Sequence, residues 1–116
     1  MQNIFRLILV IIILILIISF KPAKRDKIKW ISLDELNSAY ASDPKPIIID
    51  VYTKWCGCCK VMDKETYSNQ KVASYINEHF YAVKFNAEST DSAVLGNKKY
   101  GFNPAYHAND LAVYLL

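Results

Sequence analysis

Cysteine is scarce in this 116-residue chain, with only three residues at positions 56, 58 and 59. A protein held together by disulfides has its cysteines spread along the chain, in pairs that join distant segments. These three are too few and too clustered for that purpose, and a domain of about ninety residues can bury a hydrophobic core without disulfides. The cysteines are therefore candidates for chemistry.

The globular part of the sequence also lacks an excess of positive charge. Residues 1–29 contain six Lys or Arg and one acid, whereas residues 30–116 contain eight Lys and ten acids. A nucleic-acid-binding surface needs a basic patch on the folded domain, so this distribution argues against nucleic acid as a partner. No internal repeat or low-complexity tract is present, and one domain is expected.

The N-terminus has no polar residue between Leu7 and Ile18, and the apolar stretch extends over residues 4–20, interrupted by Arg6. A bilayer core of about 30 Å needs roughly 17–25 residues of helix, so this segment is just long enough to span one. It equally fits the apolar region of a signal peptide that follows a charged Arg6. We therefore predict a hydrophobic N-terminal helix, with residues 1–20 as a signal peptide or membrane anchor and residues 21–29 as a basic linker.

Two features bear on the choice between these alternatives. No small-x-small cleavage site follows the apolar run, because the next residues are Ser19, Phe20, Lys21 and Pro22. This favours an uncleaved anchor that contacts the membrane through residues 4–20. More Lys and Arg follow the segment than precede it, which by the positive-inside rule would leave the domain in the cytoplasm.

Residues 30–116 are expected to form a domain of the α/β class. Ser32 and Glu35 form a capping box that predicts a helix over 33–41, and the prolines after it end that helix. The β-branched run 47–52 predicts a strand buried on both faces, at the centre of a helix-flanked sheet. Residues 81–86 alternate as a second strand, parallel to the first because a helical crossover separates them.

The remaining elements are predicted from periodicity and turn residues. The segments are a helix over 59–66, a helix over 70–79, a tight turn at 95–99, a short strand at 100–102 and a helix over 103–116 that is entered near Pro104.

The segment Trp55-Cys56-Gly57-Cys58-Cys59-Lys60 follows the first predicted strand and opens a helix. At a helix start, backbone N–H groups point outward and stabilise a thiolate at Cys56, the form that attacks disulfides. Cys59 lies one helical turn further on and can close a bridge. We predict Cys56 as the nucleophile and Cys59 as the resolving thiol, with Gly57, Cys58 and Lys60 beside them.

The sequence from Asp50 to Lys60, Asp-Val-Tyr-Thr-Lys-Trp-Cys-Gly-Cys-Cys-Lys, resembles the active-site strand and loop of thioredoxins. The resemblance implies that Asp50 transfers the proton of the resolving cysteine, that Trp55 walls the site, and that Cys56 and Cys59 form a redox-active disulfide. A carboxylate in an apolar strand fits such a use, since burying it is otherwise unfavourable. A solvated strand edge for Asp50 and a core position for Trp55 are the structural alternatives.

The resemblance covers about residues 28–95, and the segments 62–67, 72–80 and 83–86 resemble exported thioredoxin-like domains of bacteria. It implies a thioredoxin-like fold and thiol-disulfide exchange with protein substrates. It further implies an electron-donating partner protein, no organic cofactor, and a domain on the extracytoplasmic, periplasmic side in spite of the charge rule.

Two positions depart from the family pattern. Cys58 stands between the cysteines of the pair and makes a Cys56–Cys58 pairing conceivable, whereas Cys58 and Cys59 are poor partners because they are adjacent. The family also places a cis-proline loop opposite the cysteines, for which Pro104 is the only candidate here. Since the usual residues around that proline are missing, the expected alternative is an atypical or C-terminally truncated domain.

Two other functions remain open on the sequence alone. Three thiolates can hold zinc or copper(I), although His79 and His107 lie far along the chain from the cysteines. The chain can also be a non-catalytic, membrane-held binding module. Loss of disulfide exchange on Cys56→Ser would distinguish the enzyme from the binding module.

Overall fold

The computed structural model describes residues 1–18 and 26–116. The first helix, α1, spans Gln2–Ile18, and residues 1–13 are exposed along it. Within the described ranges, no helix has both the length and the apolar character required to cross a membrane. Positions 19–25, which include the end of the predicted anchor and most of the predicted linker, lie outside the described residues.

The capping box predicted from the sequence is confirmed at the start of α2, which spans Leu33–Ser42. The hydroxyl of Ser32 accepts the Glu35 N–H at 3.1 Å, and the Glu35 carboxylate accepts the Ser32 N–H at 2.8 Å. Hydrogen bonds from the backbone and then the side chain of Ser32 lower the pKa of Glu35. This cap fixes the helix directly after β1, Trp30–Ile31.

The central sheet contains three parallel strands in the order β1-β3-β2, where β2 is Ile47–Tyr52 and β3 is Tyr81–Asn86. The predicted parallel pairing of residues 47–52 with 81–86 is confirmed. The prediction that 47–52 is the central, fully buried strand is wrong, because β3 occupies the centre and Ile47 is 38% exposed. A β-branched run favours a strand but does not determine how many neighbours that strand has.

The segment between β2 and β3 is helical almost throughout. Helix α3 spans Gly57–Met62 and continues as a π-helical segment, Asp63–Tyr67, before α4 at Gln70–His79. The predicted helix over 59–66 therefore begins two residues earlier, at Gly57. This earlier start makes Cys56 the N-cap residue of α3.

Two hairpins and a short helix follow β3. Strands β4 (Ala93–Leu95) and β5 (Lys98–Tyr100) pair antiparallel around Gly96, whose φ of 61° favours glycine. Strands β6 (Phe102–Asn103) and β7 (Ala108–Asn109) form the second hairpin, and α5 spans Asp110–Leu115. The predicted turn at 95–99 is confirmed in its position.

The predicted helix over 103–116 is wrong for residues 103–109, which form the second hairpin. Pro104 lies in the turn of that hairpin, where His107 has a φ of 52°. The described residues contain no cis peptide bond, so Pro104 is not the cis-proline that the resemblance required. Turn formation around Pro104 replaces a helix start because β6 and β7 pair with each other.

Two hydrophobic clusters form the core on either side of the sheet. Phe85, Tyr100 and Leu111 belong to one, and Ala73 and Ile76 of α4 belong to the other. The architecture is thus a mixture of helices and strands, compatible with the predicted α/β class.

The buried amide of Asn109 joins the C-terminal region to the segment after β3. Its Nδ2 donates to the carbonyl oxygens of Ser89 at 3.1 Å and Asp91 at 3.0 Å, and its Oδ1 accepts the Leu111 N–H at 3.0 Å. Asn109 has no exposed surface, and these bonds satisfy its polar atoms in the interior.

Candidate active site

The cysteine loop begins where β2 ends. The carbonyl of Thr53 accepts the Cys56 N–H at 3.2 Å, which turns the chain out of the strand. Cys56 keeps an extended backbone as the N-cap of α3, and its sulfur accepts the N–H of Cys59 at 3.2 Å. The sulfur therefore fills the position that a serine or aspartate oxygen occupies in an ordinary helix cap.

Cys56 and Cys59 are joined by a disulfide, with their Cα atoms 5.3 Å apart. This Cα separation lies within the range of about 4.4–6.8 Å that disulfides require. Both residues are half-buried at the surface of the domain. After reduction, a backbone N–H aimed at the Cys56 sulfur would favour the thiolate over the thiol, because a hydrogen bond to the charged form stabilises it.

Cys58 is a free, exposed cysteine, and its Sγ lies 3.4 Å from the Sγ of Cys56. The three sulfurs of Cys56, Cys58 and Cys59 lie within 4.8 Å of one another, and this group contains no histidine among the described residues. Three thiolates at this separation are a donor set suited to a soft cation such as copper(I). Two of the sulfurs are bonded to each other here, so such a site would require reduction first.

Asp50 lies in β2, and its side chain is 15% exposed. Its Oδ2 is 3.6 Å from the Nζ of Lys84, which lies opposite Asp50 in the parallel register of β2 and β3. The same ammonium group forms a hydrogen-bonded ion pair with Asp63 of the π-helical segment. The strand that leads into the cysteine loop thus contains a largely buried carboxylate with a cationic partner. β2 lies at the edge of the sheet, as the alternative for Asp50 supposed, but its prediction that the carboxylate is solvated is wrong.

Lys84 is held by its surroundings in the charged form. Partial burial acts to lower its pKa, but the hydrogen bond and charge of Asp63, followed by those of Asp50, outweigh burial and raise the pKa. The Nζ of Lys84 also lies 5.4 Å from the ring centroids of both Trp30 and Tyr52. Two carboxylates and two aromatic faces therefore fix one ammonium group on the β2–β3 pair.

Tyr67 borders the charged group formed by Asp50, Asp63 and Lys84. Burial and then the charge of Asp50 raise the pKa of its phenol. Its ring contacts that of Trp30 edge to face, with 5.1 Å between the centroids. A cleft of about 670 Å³ opens here, lined by Trp30, Asp63, Tyr67 and Lys84 among others. No cysteine lines this cleft, so it is separate from the disulfide.

Trp55 precedes the disulfide and is 74% exposed, so the alternative that placed it in the core is wrong. Its indole Nε1 donates a hydrogen bond of 2.8 Å to the Oε1 of Glu88, in the turn after β3. That bond fixes a large exposed aromatic ring next to Cys56. Gly57 and Lys60 are exposed on the first turns of α3, and the Lys60 N–H reaches the Cys56 carbonyl at 3.4 Å.

Sequence reasoning missed Lys84, Asp63 and Glu88. A signal for Lys84 was present, because aligning the two predicted six-residue strands in parallel places position 84 opposite position 50. Asp63 and Glu88 had no comparable signal, since their contacts depend on how the helical segment and the turn after β3 fold back.

Comparison with known proteins gives one family match. The family model Thioredox_DsbH, described as "Protein of unknown function, DUF255", matches residues 20–93, more than half of the chain. No solved structure matches the chain.

Several curated proteins match shorter segments. The thiol:disulfide interchange protein DsbD of Pectobacterium atrosepticum is 37% identical over 46 residues, which are 40% of this chain and 8% of that protein. The DsbD of Citrobacter koseri is 34% identical over 62 residues, 53% of this chain and 10% of that protein. An uncharacterized protein of Caenorhabditis elegans, B0495.5, is 39% identical over 44 residues, 38% of this chain and 6% of that protein. The chain thus spans a tenth or less of the length of these relatives.

Proposed function

The chain belongs to the Thioredox_DsbH family, a thioredoxin-like family of the thiol-disulfide type, and on that premise we propose that it exchanges disulfides with protein substrates through Cys56 and Cys59. The observation that carries the proposal is the Cys56–Cys59 bond at the end of β2, with the Cys59 N–H directed at the Cys56 sulfur. The matched segments of proteins named thiol:disulfide interchange protein support the same chemistry.

In the reducing direction, the Cys56 thiolate attacks one sulfur of a substrate disulfide. A mixed disulfide forms, and the first substrate sulfur leaves as a thiolate. Cys59 then loses its proton and attacks the Cys56 sulfur, which releases the second substrate thiolate and closes the Cys56–Cys59 bond. Two electrons and two protons pass to the substrate, and the reverse sequence oxidises a substrate dithiol.

We propose Asp50 as the group that accepts the proton of Cys59. The carboxylate is largely buried in the strand that leads directly to the cysteines, and the ion pair with Lys84 fixes its position. A largely buried carboxylate on the strand that leads into a reacting pair is a candidate proton acceptor, since burying it is otherwise unfavourable. Trp55 would contribute an aromatic surface for the substrate polypeptide, because its ring is exposed and anchored by Glu88.

Turnover requires a second redox protein that restores the starting state of the pair. We propose that this partner donates electrons, and that the N-terminal segment anchors or exports the domain to the extracytoplasmic side. The apolar sequence of α1 and its exposed side chains at residues 1–13 support a contact with lipid. A thioredoxin-like fold for residues 30–116 is part of the same proposal.

The decisive experiment equilibrates the full chain, in mild detergent, with glutathione buffers of increasing oxidising power. Acid quenching, alkylation of free thiols and peptide mass spectrometry then locate each disulfide. We expect a reversible Cys56–Cys59 bond with a defined midpoint and dithiol-dependent reduction of a disulfide-bonded peptide. Cys56→Ser should abolish both.

Other results would favour the alternatives. Partner binding that survives Cys56→Ser, without any turnover in the wild type, would indicate a binding module. Stoichiometric binding of zinc or copper(I) by the reduced chain, with no reversible disulfide, would indicate a metal site formed by the three sulfurs.

A further inference from the structure

The two-cysteine reaction leaves Cys58 without a role. Cys58 is exposed on the first turn of α3, and its side chain is directed toward the disulfide rather than away from it. The Sγ–Sγ distance of 3.4 Å to Cys56 is a contact distance for two sulfur atoms. Cys56 carries no thiol hydrogen while it is bonded to Cys59, so Cys58 is the donor in this contact.

The backbone between the two sulfurs is suited to a change of partner. Cys56 is the N-cap of the helix and has an extended backbone conformation, so its own φ and ψ are not helical. Gly57 separates Cys56 from Cys58, and apart from these neighbours and the backbone of its own helix, no atom lies within 4 Å of where its Cβ would be. Glycine has the greatest freedom of φ and ψ, so this link can adjust to join the sulfurs on either side of it.

We propose that Cys58 is a third redox thiol, which exchanges with the Cys56–Cys59 disulfide and can resolve substrate adducts of Cys56. This inference rests on the proposed function of the same site. In the internal exchange the Cys58 thiolate attacks the Cys56 sulfur, the Cys56–Cys59 bond breaks and a Cys56–Cys58 bond forms. Cys59 leaves as a thiolate and takes up the proton that Cys58 lost, so the chain keeps one disulfide and one thiol and needs no oxidant.

The same attack shortens the life of a mixed disulfide. When Cys56 is bound to a substrate sulfur, Cys58 can attack Cys56 from the exposed side while Cys59 attacks from the half-buried side. Both attacks release the substrate thiolate. A substrate that blocks Cys59 would therefore still be released.

The two bridges differ in stability. A bridge between residues two apart closes a smaller ring than one between residues three apart, and we expect the Cys56–Cys58 form to be the minor one. The equilibrium constant for forming the Cys56–Cys58 bond by oxidation with glutathione disulfide should be about tenfold smaller. This is equivalent to a reduction potential about 30 mV higher for this two-electron couple.

The test compares three variants in the glutathione titration: C58S, C59S and the double variant C58S/C59S. C59S is expected to lose two hydrogens on oxidation and to form the Cys56–Cys58 bond, with a more oxidising midpoint than C58S. The double variant keeps one thiol and should form only a glutathione adduct. An adduct without internal bond formation in C59S would overturn the proposal.

Failure of the proposed function gives a different pattern. If C58S itself forms no reversible disulfide, the Cys56–Cys59 chemistry is wrong and the third thiol has no reaction to join. If C58S forms the bond and C59S does not, only the role of Cys58 is refuted.

A measurement on the wild type avoids any effect of the variants on folding. The oxidised chain has one free thiol, which is alkylated after acid quenching and located by fragmentation of the peptide. Exchange predicts a minor but reproducible fraction of label on Cys59, which is reached faster when the equilibration pH is raised, because the thiolate is the attacking form. Label confined to Cys58 at every pH would refute the exchange.

Discussion

Lys84 lies directly opposite Asp50 in the parallel pairing of β2 and β3, with its ammonium 3.6 Å from the carboxylate. The pair is largely shielded from solvent, with 24% of the Lys84 side chain and 15% of the Asp50 side chain exposed. Asp63 engages the same ammonium from the helical side. A single cation therefore links the central sheet to the segment that carries the cysteines.

Replacing Lys84 by methionine should destabilise the domain. The substitution keeps most of the apolar contacts but leaves Asp50 without its cationic partner, and removing a hydrogen bond to a charged group costs about 1.5–3 kcal/mol. We expect a loss of this size in the free energy of unfolding measured with urea. Lys71→Met, at an exposed position of α4, is the control. Equal stability of the two variants would show that the ion pair does not contribute.

High pH should weaken the interactions that Lys84 and Tyr67 make in the folded domain. The pKa of Lys84 is raised in the folded state, as is that of Tyr67, so each contributes stability that is present below its unfolded pKa. That stability is lost as the pH rises through the folded values, which lie above the ordinary values of 10.5 for lysine and 10.0 for tyrosine. The free energy of unfolding of Lys84→Met and of Tyr67→Phe, measured with urea, should therefore decrease less steeply above about pH 10 than that of the wild type. Parallel pH curves for all three proteins would contradict this.

Changing Asn109 to aspartate should be severely destabilising. The substitution preserves shape and the acceptor for the Leu111 N–H, but it removes the donor to the carbonyl oxygens of Ser89 and Asp91. It also places a carboxylate in the interior, and an uncompensated buried charge costs about 3–5 kcal/mol. Thermal unfolding should show a large drop in the midpoint temperature. Asn97→Asp, in the exposed hairpin turn, should change it little.

Thr53→Val should leave the domain as stable as before or more stable. The Oγ1 of Thr53 is buried and has no hydrogen-bond partner among the described residues. Valine keeps the branched shape and removes a polar atom whose burial costs roughly 1–3 kcal/mol without a partner. Thr90→Val, at an exposed position, should give no such gain. A clear loss of stability in Thr53→Val, measured by urea unfolding, would show that the hydroxyl has a partner in solution.

Local chemistry made part of this structure predictable. The capping box at Ser32 and Glu35 and the parallel pairing of residues 47–52 with 81–86 follow from short sequence patterns, and both are present. The position of the cysteines after a strand and at a helix start follows from the same patterns.

The other features of the fold and the site depend on contacts between separate segments of the chain. Residues 103–109 form a hairpin because β6 and β7 pair with each other, which no helical periodicity in that segment reveals. The central place of β3 depends on β1, a strand of only two residues that pairs with it from far along the chain. Lys84 was within reach of sequence reasoning through the strand register, whereas Asp63 was not.

The position of β2 also has a consequence for association between copies of the chain. One side of Ile47–Tyr52 pairs with β3, and no strand pairs with the other side within the described residues. Unpaired strand edges rich in β-branched residues are templates for intermolecular association and fibril growth. Pro44 and Pro46 lack N–H groups, so they limit templating at the start of this strand, and the Ile48–Val51 stretch is where self-association would begin.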